Sequence, residues 1–273
     1  MYLALYVKNS DKMRIDLKDK NALVGGSSKG IGLAIAEQLA ASGANVTLMA
    51  RNEVELKKKC SILDQSQGQK HQYKVVDFSN FEEFSKQMEI FFKVNSIDIL
   101  VNNTQGPAAG SASEKNIADY QSAFDLLFKT VVHTTSLALP HMKKQKWGRI
   151  INVASVSVKE PLPYLVLSNS IRSAVVTWSK SLSIDIAPFN ITINNTLTGY
   201  FDTERLAQLN DIKAKTLSIP VEEVRKALEA TVPMNRIGQP EEYASVVCFL
   251  ASGQASYITG TSIPIDGGLL KSF

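Results

Sequence analysis

The chain has little cysteine and no long hydrophobic run, and each absence excludes a class of protein. Among its 273 residues there are two cysteines, Cys60 and Cys248, too few for a disulfide-stabilised secreted scaffold. No segment reaches the roughly 20 apolar residues that a membrane-spanning helix needs. The first residues, MYLALYV, are apolar, but no basic segment precedes them, so they make a poor signal peptide. We therefore expect free thiols, a cytoplasmic protein and no membrane partner.

An excess of charge of one sign is also lacking. Lys and Arg number 30 against 26 Asp and Glu, and no block of like charge stands out, so nucleic-acid binding is not indicated. The slight basic excess is compatible with an anionic cofactor or substrate. With 44% hydrophobic residues and no dominant residue type, disordered and collagen-like classes are excluded as well.

Strand-like apolar runs alternate with helix-length segments along the whole chain. This alternation predicts an α/β fold: a doubly wound, Rossmann-type, mostly parallel seven-stranded sheet with helices on both faces. The predicted strands are 22–25, 45–50, 73–76, 97–101, 149–153, 191–194 and 262–265. The predicted helices are 30–42, 53–63, 81–92, 117–142, 164–187 and 241–252.

No linker or composition break divides the chain, so we predict a single domain over residues 16–270. Residues 1–12 are interpreted as an N-terminal extension, because Met13 begins a second plausible start. Residues 199–232 depart from the alternation and carry two helical patterns, 203–214 and 221–230. Such an excursion at the carboxyl side of a strand is where a substrate lid would lie, although a plain surface excursion would give the same pattern.

A glycine-rich turn joins the first predicted strand to the first helix. Gly26 would permit the tight turn, Gly30 the approach of a phosphate to the backbone, and Gly32 close packing of helix and strand. The amino terminus of the helix offers unpaired N–H groups to a pyrophosphate. The candidate cofactor-binding residues of this turn are Gly26, Ser28, Lys29, Gly30, Ile31 and Gly32.

The end of the second strand indicates which dinucleotide binds. An acidic residue there would accept the ribose 2′-OH of NAD, but the sequence has Arg51 followed by Asn52. Arginine suits a 2′-phosphate through paired N–H groups, and Lys29 adds a second positive charge. These two cations favour NADP over NAD; the alternative is that Arg51 is a solvated surface residue.

Several motifs together resemble the short-chain dehydrogenase/reductase family, and within it the 3-oxoacyl-acyl-carrier-protein reductase type, over residues 16–270. They are Gly25-Gly26-x-x-x-Gly30-Ile31-Gly32, Asn102-Asn103-Thr104-Gln105-Gly106, Pro233-x-x-Arg236-x-Gly238-x-Pro240-Glu241-Glu242, Tyr257-Ile258-Thr259-Gly260 and Asp266-Gly267-Gly268. The resemblance implies that Asp77 holds the adenine, that Asn103 belongs to the cofactor site, and that Gly199 and Thr203 meet the nicotinamide carboxamide.

The resemblance also implies a catalytic set of Asn, Ser, Tyr and Lys, and here the chain departs from the family. The serine falls on Ser155, but the tyrosine position holds Ser168 and the lysine position holds Arg172. The asparagine position holds Leu127. No tyrosine of the chain has a lysine four residues on, so the tyrosine–lysine pair is absent rather than displaced.

The replacements change the expected chemistry. A serine hydroxyl is a much poorer proton donor than a phenol of pKa ~10, and arginine keeps its proton. Arg172 could hold ribose hydroxyls, a developing alkoxide or a substrate carboxylate. Tyr164, expected one helical turn before Ser168 on the same face, is the first candidate substitute acid, unless it only packs under the lid. Tyr200 is the second candidate, and no metal site is predicted.

Three functions remain open from the sequence. The first is an NADPH-dependent oxidoreductase that reduces a small-molecule or acyl-carrier carbonyl substrate with a non-standard catalytic site. The second is a catalytically silent NADP-binding sensor or scaffold, and the third is a lyase- or isomerase-like reaction on the same fold. The family resemblance implies a homotetramer, or a homodimer. An apolar row is consistent with a partner, though a monomer's core would give a similar row: Val131, Leu137, Leu139, Val175, Val176 and Trp178.

Overall fold

A computed structural model describes residues 15–272 and contains one seven-stranded sheet. The strand order is β3-β2-β1-β4-β5-β6-β7, and every neighbouring pair is parallel. The strands are β1 (Asn21–Gly25), β2 (Asn45–Ala50), β3 (Gln72–Val75), β4 (Ile99–Asn102), β5 (Gly148–Val153), β6 (Ile191–Thr198) and β7 (Ser262–Ile265). The predicted doubly wound sheet is confirmed. The predicted extension at residues 1–12 lies outside the described residues.

Helices cover both faces of the sheet because each connection between parallel strands must cross over. One face carries α1 and α9, whose buried side chains form one core cluster with β1 and β2. The other face carries α3, α5 and α6 around a second cluster. The helices are α1 (Gly30–Ala41), α2 (Glu53–Ile62), α3 (Phe81–Val94), α4 (Ile117–Phe124), α5 (Thr130–Gln145), α6 (Val166–Ile186), α7 (Glu204–Leu217), α8 (Val221–Thr231) and α9 (Pro240–Ala251). No helix of the described chain is long and apolar enough to cross a membrane.

Strand β6 is four residues longer than its sequence pattern predicts. The prediction ended at residue 194 because the next residues, Asn195 to Thr198, are mostly polar. The first three are nevertheless buried and Thr198 is half-buried, and all four pair with β7. Side-chain hydrogen bonds compensate for this burial, as when Asn195 accepts from Asn152 and donates to Ser262. The extension carries the backbone up to Gly199 and the lid.

The predicted long helix is interrupted by a π-helical turn. Between α4 and α5 the backbone forms a π turn at Asp125–Lys129, and the combined helix runs to Gln145 rather than residue 142. Such turns insert one extra residue and re-aim the side chains around them. Leu127, the residue at the family's asparagine position, lies in this turn and is buried.

The start of α6 corrects one prediction about Tyr164. The helix begins at Val166, and Tyr164 lies in the preceding turn rather than on the helix face of Ser168. Leu165 is drawn into a bridge with Gly110, and the Gly110 N–H donates to the Tyr164 carbonyl at 2.7 Å. Pro163 also disfavours helix just before it. Tyr164 is therefore presented from a loop.

The excursion at residues 199–232 contains α7 and α8, close to the two predicted helical patterns. It is joined to the body of the fold at its start and is held together internally by an ion pair. Phe201, at its start, packs edge-to-face on Tyr243 of α9 with ring centroids 5.1 Å apart. Arg225 of α8 binds both carboxylate oxygens of Asp202, at 3.2 and 3.0 Å, which fixes α8 against the loop that precedes α7.

Candidate cofactor and active site

The glycine turn after β1 has the geometry of a phosphate-binding loop. Gly26 and Gly30 have φ of 56° and 57°, a left-handed conformation that favours glycine. A Cβ on Gly32 would lie 2.3 Å from the Gly26 carbonyl oxygen, so any side chain there would push the turn away from α1. The first turn of α1 has no acidic residue to occupy its N–H groups. The residues present thus fit the pyrophosphate of a dinucleotide.

Two polar residues hold this turn in place. The Asn103 amide donates to the Gly25 carbonyl at 3.0 Å, which binds the turn to the end of β4. Ser27 is fully buried and was not among the predicted site residues. Its hydroxyl donates to the Val24 carbonyl and accepts from the Met49 N–H at 2.9 Å. Its position inside the glycine motif was visible, but its burial was not.

The start of the 199–232 excursion lies against the glycine turn. Thr203 packs its methyl group against Gly30, 3.3 Å from where a Cβ would be, and its hydroxyl accepts from the Leu206 N–H to cap α7. The next residue, Glu204, forms an ion pair with Lys29. Lys29 therefore faces the lid here, whereas the sequence analysis directed its charge toward the 2′-phosphate. Ser28 and Ile31 are half-buried beside it.

Arg51, predicted to favour NADP, follows β2, and Asp77, which the resemblance assigns to the adenine, follows β3. Arg51 is exposed. Hydrogen bonds from the Ser79 hydroxyl and N–H lower the pKa of the Asp77 carboxyl, and the charge of Arg51 lowers it further. Asn52 caps α2 by accepting from the Glu55 N–H at 3.1 Å. Arg51 is thus left with an exposed guanidinium beside the open edge of the cleft, where a phosphate could reach it.

Ser168 and Arg172, which the sequence predicts at the family's tyrosine and lysine positions, contact each other on α6. Arg172 donates from Nε to the Ser168 hydroxyl at 3.3 Å and from Nη1 to the Val153 carbonyl at the end of β5. Burial lowers the pKa of the Arg172 guanidinium. Ser155 lies two residues beyond Val153 and caps a short turn by accepting from the Ser157 N–H at 3.1 Å. No hydrogen bond in the described part of the chain joins Ser155 to Ser168.

A small cavity opens at the carboxyl ends of β4 and β5, beside Arg172. Its lining is mostly apolar, with three polar side chains besides Arg172. The lining residues are Asn102, Thr104, Leu127, Val131, Asn152, Val153, Ala154, Arg172 and Val175. Val131 and Val175 of the apolar row considered in the sequence thus belong to this cavity of the monomer.

Hydrogen-bonded amides form the floor of the cavity. Asn102 donates to Asn152 at 2.8 Å, and Asn152 donates in turn to Asn195 at 3.1 Å and to the Ser179 hydroxyl at 2.8 Å. The three asparagines are register partners on β4, β5 and β6. Both N–H groups of the Asn102 and Asn152 amides are paired, which makes the floor rigid.

The phenols near the cleft are poor acids. Tyr164 and Tyr200 hydrogen-bond to each other; burial and this contact raise the pKa of Tyr200 to about 12, and burial raises the pKa of Tyr164. Tyr243 is fully buried, and its hydroxyl donates to the Thr196 hydroxyl at 2.6 Å. Burial raises its pKa to about 12. Tyr164, with an exposed fraction of 47%, is the phenol of this group that solvent or a substrate can reach most readily.

Gly199 joins β6 to the lid by a close backbone contact. Its N–H donates to the Ile265 carbonyl at 3.0 Å, and a Cβ would lie 2.6 Å from the Asp266 Cα. The carboxyl ends of β6 and β7 are thus held together where the lid begins. The predicted cofactor residues therefore fall into two groups: the glycine turn with Asn103 and Thr203, and the edge with Arg51 and Asp77.

A family model described as "Enoyl-(Acyl carrier protein) reductase" matches residues 26–270. The chain belongs to this family, within the short-chain dehydrogenases/reductases. It is 31% identical over 261 residues to the NADPH-dependent reductase BacG of Bacillus subtilis, covering 94% of this chain and 100% of the relative. It is 32% identical over 263 residues to the 3-oxoacyl-[acyl-carrier-protein] reductase FabG of Aquifex aeolicus, with coverage of 94% and 100%.

Solved structures agree. The NADPH-dependent reductase YwfH, involved in bacilysin biosynthesis, aligns with a TM-score of 0.86 at 31% identity, covering 93% of this chain and 99% of that one. The L-sorbose reductase of Gluconobacter frateurii, complexed with NADPH and L-sorbose, aligns with a TM-score of 0.88 at 29% identity, covering 96% and 100%. The predicted family and fold are confirmed. Of the proteins named here, BacG and YwfH are described as NADPH-dependent, and the L-sorbose reductase is complexed with NADPH.

Proposed function

We propose that the chain is an NADPH-dependent oxidoreductase that reduces a carbonyl compound. The observation that carries this proposal is the glycine turn at α1, where Gly26 and Gly30 take left-handed φ and a Cβ on Gly32 would displace the turn. That turn suits a dinucleotide pyrophosphate, and Arg51 suits a 2′-phosphate. The NADPH-dependent reductases BacG and YwfH support the same cofactor.

Different cofactor residues bind different parts of NADPH. Gly26, Ser28, Gly30, Ile31 and Gly32 offer backbone to the pyrophosphate. Arg51 and Asn52 lie beside the 2′-phosphate, Lys29 reaches it when its ion pair with Glu204 opens, and Asp77 and Asn103 lie on the adenosine side. Gly199 and Thr203 face the nicotinamide carboxamide. When bound, NADPH supplies the hydride that reaches the carbonyl carbon.

The protein's own chemistry at the carbonyl is polarisation and charge stabilisation. Ser155 donates its hydroxyl to the carbonyl oxygen, and Arg172 stabilises the negative charge that develops on that oxygen. Ser168 accepts from Arg172 Nε and so orients the guanidinium. Tyr164 supplies the proton to the oxygen, and burial, which raises the pKa of its phenol, makes it a slow acid.

The substrate is a small-molecule or acyl-carrier carbonyl compound, as the relatives named as 3-oxoacyl-[acyl-carrier-protein] and L-sorbose reductases support. We place the enzyme in the cytoplasm. We also propose that it forms a homotetramer or homodimer, and light scattering at micromolar concentration tests this assembly. A monomer there would contradict the assembly.

Fluorescence titration with NADPH and NADH, followed by absorbance assays on a panel of ketones, aldehydes and acyl thioesters, tests the function. We expect NADPH to bind more tightly than NADH and to be oxidised with at least one class of carbonyl. If neither dinucleotide binds, the proposal is wrong.

A silent NADP-binding sensor or scaffold is the second candidate. It is favoured by Leu127, Ser168 and Arg172, which remove the asparagine, tyrosine and lysine of the family pattern. Tight NADPH binding without turnover on any class of the panel would select this second function.

A further inference from the structure

Arg172 carries a positive charge that no acidic side chain balances. Its contacts are the Ser168 hydroxyl and the Val153 carbonyl, and both are neutral. None of the ion pairs formed within residues 15–272 involves Arg172. Taking a charge out of water without a counter-ion is unfavourable. An anion beside Arg172 would remove that cost.

The surroundings of Arg172 suit an incoming anion. The cavity that Arg172 lines has no Asp or Glu that would repel an anion, and five of its lining residues are apolar: Leu127, Val131, Val153, Ala154 and Val175. Two N–H groups of the guanidinium are held by Ser168 and Val153, so its plane is fixed before a ligand arrives. The remaining N–H groups are available to a ligand in the cavity. A planar guanidinium matches the two oxygens of a carboxylate.

Arg172 and Ser155 both lie at the carboxyl end of β5, near the predicted site of the reacting carbonyl. Arg172 reaches the Val153 carbonyl, and Ser155 follows Val153 by two residues on the same strand end. Both residues thus lie at one strand end, so a short oxo acid can offer its carbonyl oxygen to Ser155 and its carboxylate to Arg172.

We propose that Arg172 is the carboxylate-binding residue of the substrate site, and that the substrate is an oxo acid whose free carboxylate lies next to the reducible carbonyl. This inference rests on the proposed function, since it concerns the same site. It distinguishes the substrate from an acyl thioester, which is neutral beside its carbonyl. It also distinguishes Arg172 from a residue that only holds ribose hydroxyls, because hydroxyls would leave the charge unbalanced.

Unreactive carboxylates and their neutral amides test the proposal by isothermal titration calorimetry. The probes are oxamate and N-phenyloxamate, each compared with the corresponding diamide, oxamide or N-phenyloxamide. Each is titrated into the protein with and without saturating NADPH. The variants are Arg172→Gln and Arg172→Lys, with Lys180→Gln as a matched loss of positive charge at an exposed position of the same helix. Thermal unfolding checks that each variant is folded.

We expect the wild type to bind at least one acid about thirty-fold or more tightly than its amide, because the charged pair is partly desolvated. Arg172→Gln should abolish this preference, Arg172→Lys should keep part of it, and Lys180→Gln should leave it unchanged. If Arg172→Gln does not fold, Arg172→Lys decides the test. The proposal is overturned if Arg172→Lys keeps the whole preference for the acid, as Lys180→Gln does.

Other results also overturn it. One is that no acid binds the wild type more tightly than its amide, whether or not NADPH is present. Another is that Arg172→Gln weakens NADPH itself but leaves the ratio of acid to amide affinity unchanged, which would assign Arg172 to the ribose. Absence of NADPH binding to the wild type is a separate result and would refute the proposed function instead.

Discussion

Arg172 and Ser168, the two residues that replace the family's lysine and tyrosine, hydrogen-bond to each other one turn apart on α6, with Nε and Oγ 3.3 Å apart. In the family pattern the same two positions serve proton transfer. Here the serine accepts a hydrogen bond from the arginine, which helps to fix the plane of the guanidinium. The arginine's second contact, to the Val153 carbonyl, ties that charge to the end of β5.

The two partners should differ in importance. Ser168→Ala removes one neutral acceptor while the Val153 contact remains, so we expect less than about 1.5 kcal/mol of lost stability and NADPH affinity within about threefold. Arg172→Ala removes the charge, and turnover should fall about 10²-fold or more. Thermal unfolding, NADPH titration and steady-state rates measure these effects. Unchanged turnover in Arg172→Ala would mean that α6 does not lie beside the reacting carbonyl.

The parts of the site that follow from local backbone requirements were predictable. The glycine turn was found because Gly26 and Gly30 need left-handed φ, which few other residues adopt. Contacts between distant segments were not predictable: Lys29 and Glu204 are 175 residues apart, and their pairing depends on where the lid folds. Tyr164 was misplaced on the helix because the bridge from Leu165 to Gly110 is also a tertiary contact.

Arg51 should determine the cofactor preference. Arg51→Asp places a carboxylate where the 2′-phosphate would bind, so NADPH should bind about ten-fold to a hundred-fold more weakly, whereas NADH should change little. Fluorescence titration with both dinucleotides measures this, and Lys57→Asp on the exposed side of α2 is the control for a charge reversal nearby. An equal loss for both dinucleotides would contradict the assignment.

Glu204 should weaken NADPH binding through Lys29. The pair is well exposed, with side-chain fractions of 62% and 64%, so its own contribution to stability is within about 1 kcal/mol. Glu204→Gln frees the Lys29 charge for a cofactor phosphate and should tighten NADPH binding about two- to five-fold at low salt. The gain should shrink when Lys29 is already replaced by Met. Glu222→Gln on α8 is the control, and an identical gain in both Lys29 backgrounds would show that the two residues are not coupled.

Acid should destabilise the protein in part through Glu242. Arg236 donates two hydrogen bonds to this carboxylate and the Gln239 N–H a third, and together they lower the pKa of Glu242 from 4.5 to about 2. A depressed carboxyl pKa stabilises the folded state above pH 4.5, and this contribution is lost as the pH falls toward 2. The difference in Tm between the wild type and Glu242→Gln should therefore be largest at pH 7 and diminish below pH 4.5.

The control for this pH series is Glu89→Gln, because Glu89 is exposed on α3 and takes part in no ion pair or hydrogen bond within the described chain. Its Tm should follow that of the wild type at every pH. A Tm difference for Glu242→Gln that stays constant from pH 7 to pH 3 would show that the Arg236 contact is not what stabilises the start of α9.

Restoring the family's pair asks whether proton transfer limits this site. Ser168→Tyr with Arg172→Lys would introduce a phenol of pKa ~10 with a lysine one turn away, which lowers that pKa further. General acid catalysis is worth about 10²–10⁴-fold, so kcat for reduction of a neutral ketone should rise about 10²-fold over the wild type.

Ser168→Tyr alone, beside the unchanged Arg172, is the matched control for the bulk of the ring. The variant must first bind NADPH and unfold cooperatively, because a tyrosine is much larger than the serine it replaces and overpacking destabilises a packed site. If it does both and ketone reduction does not rise, the wild-type site does not lack a proton donor.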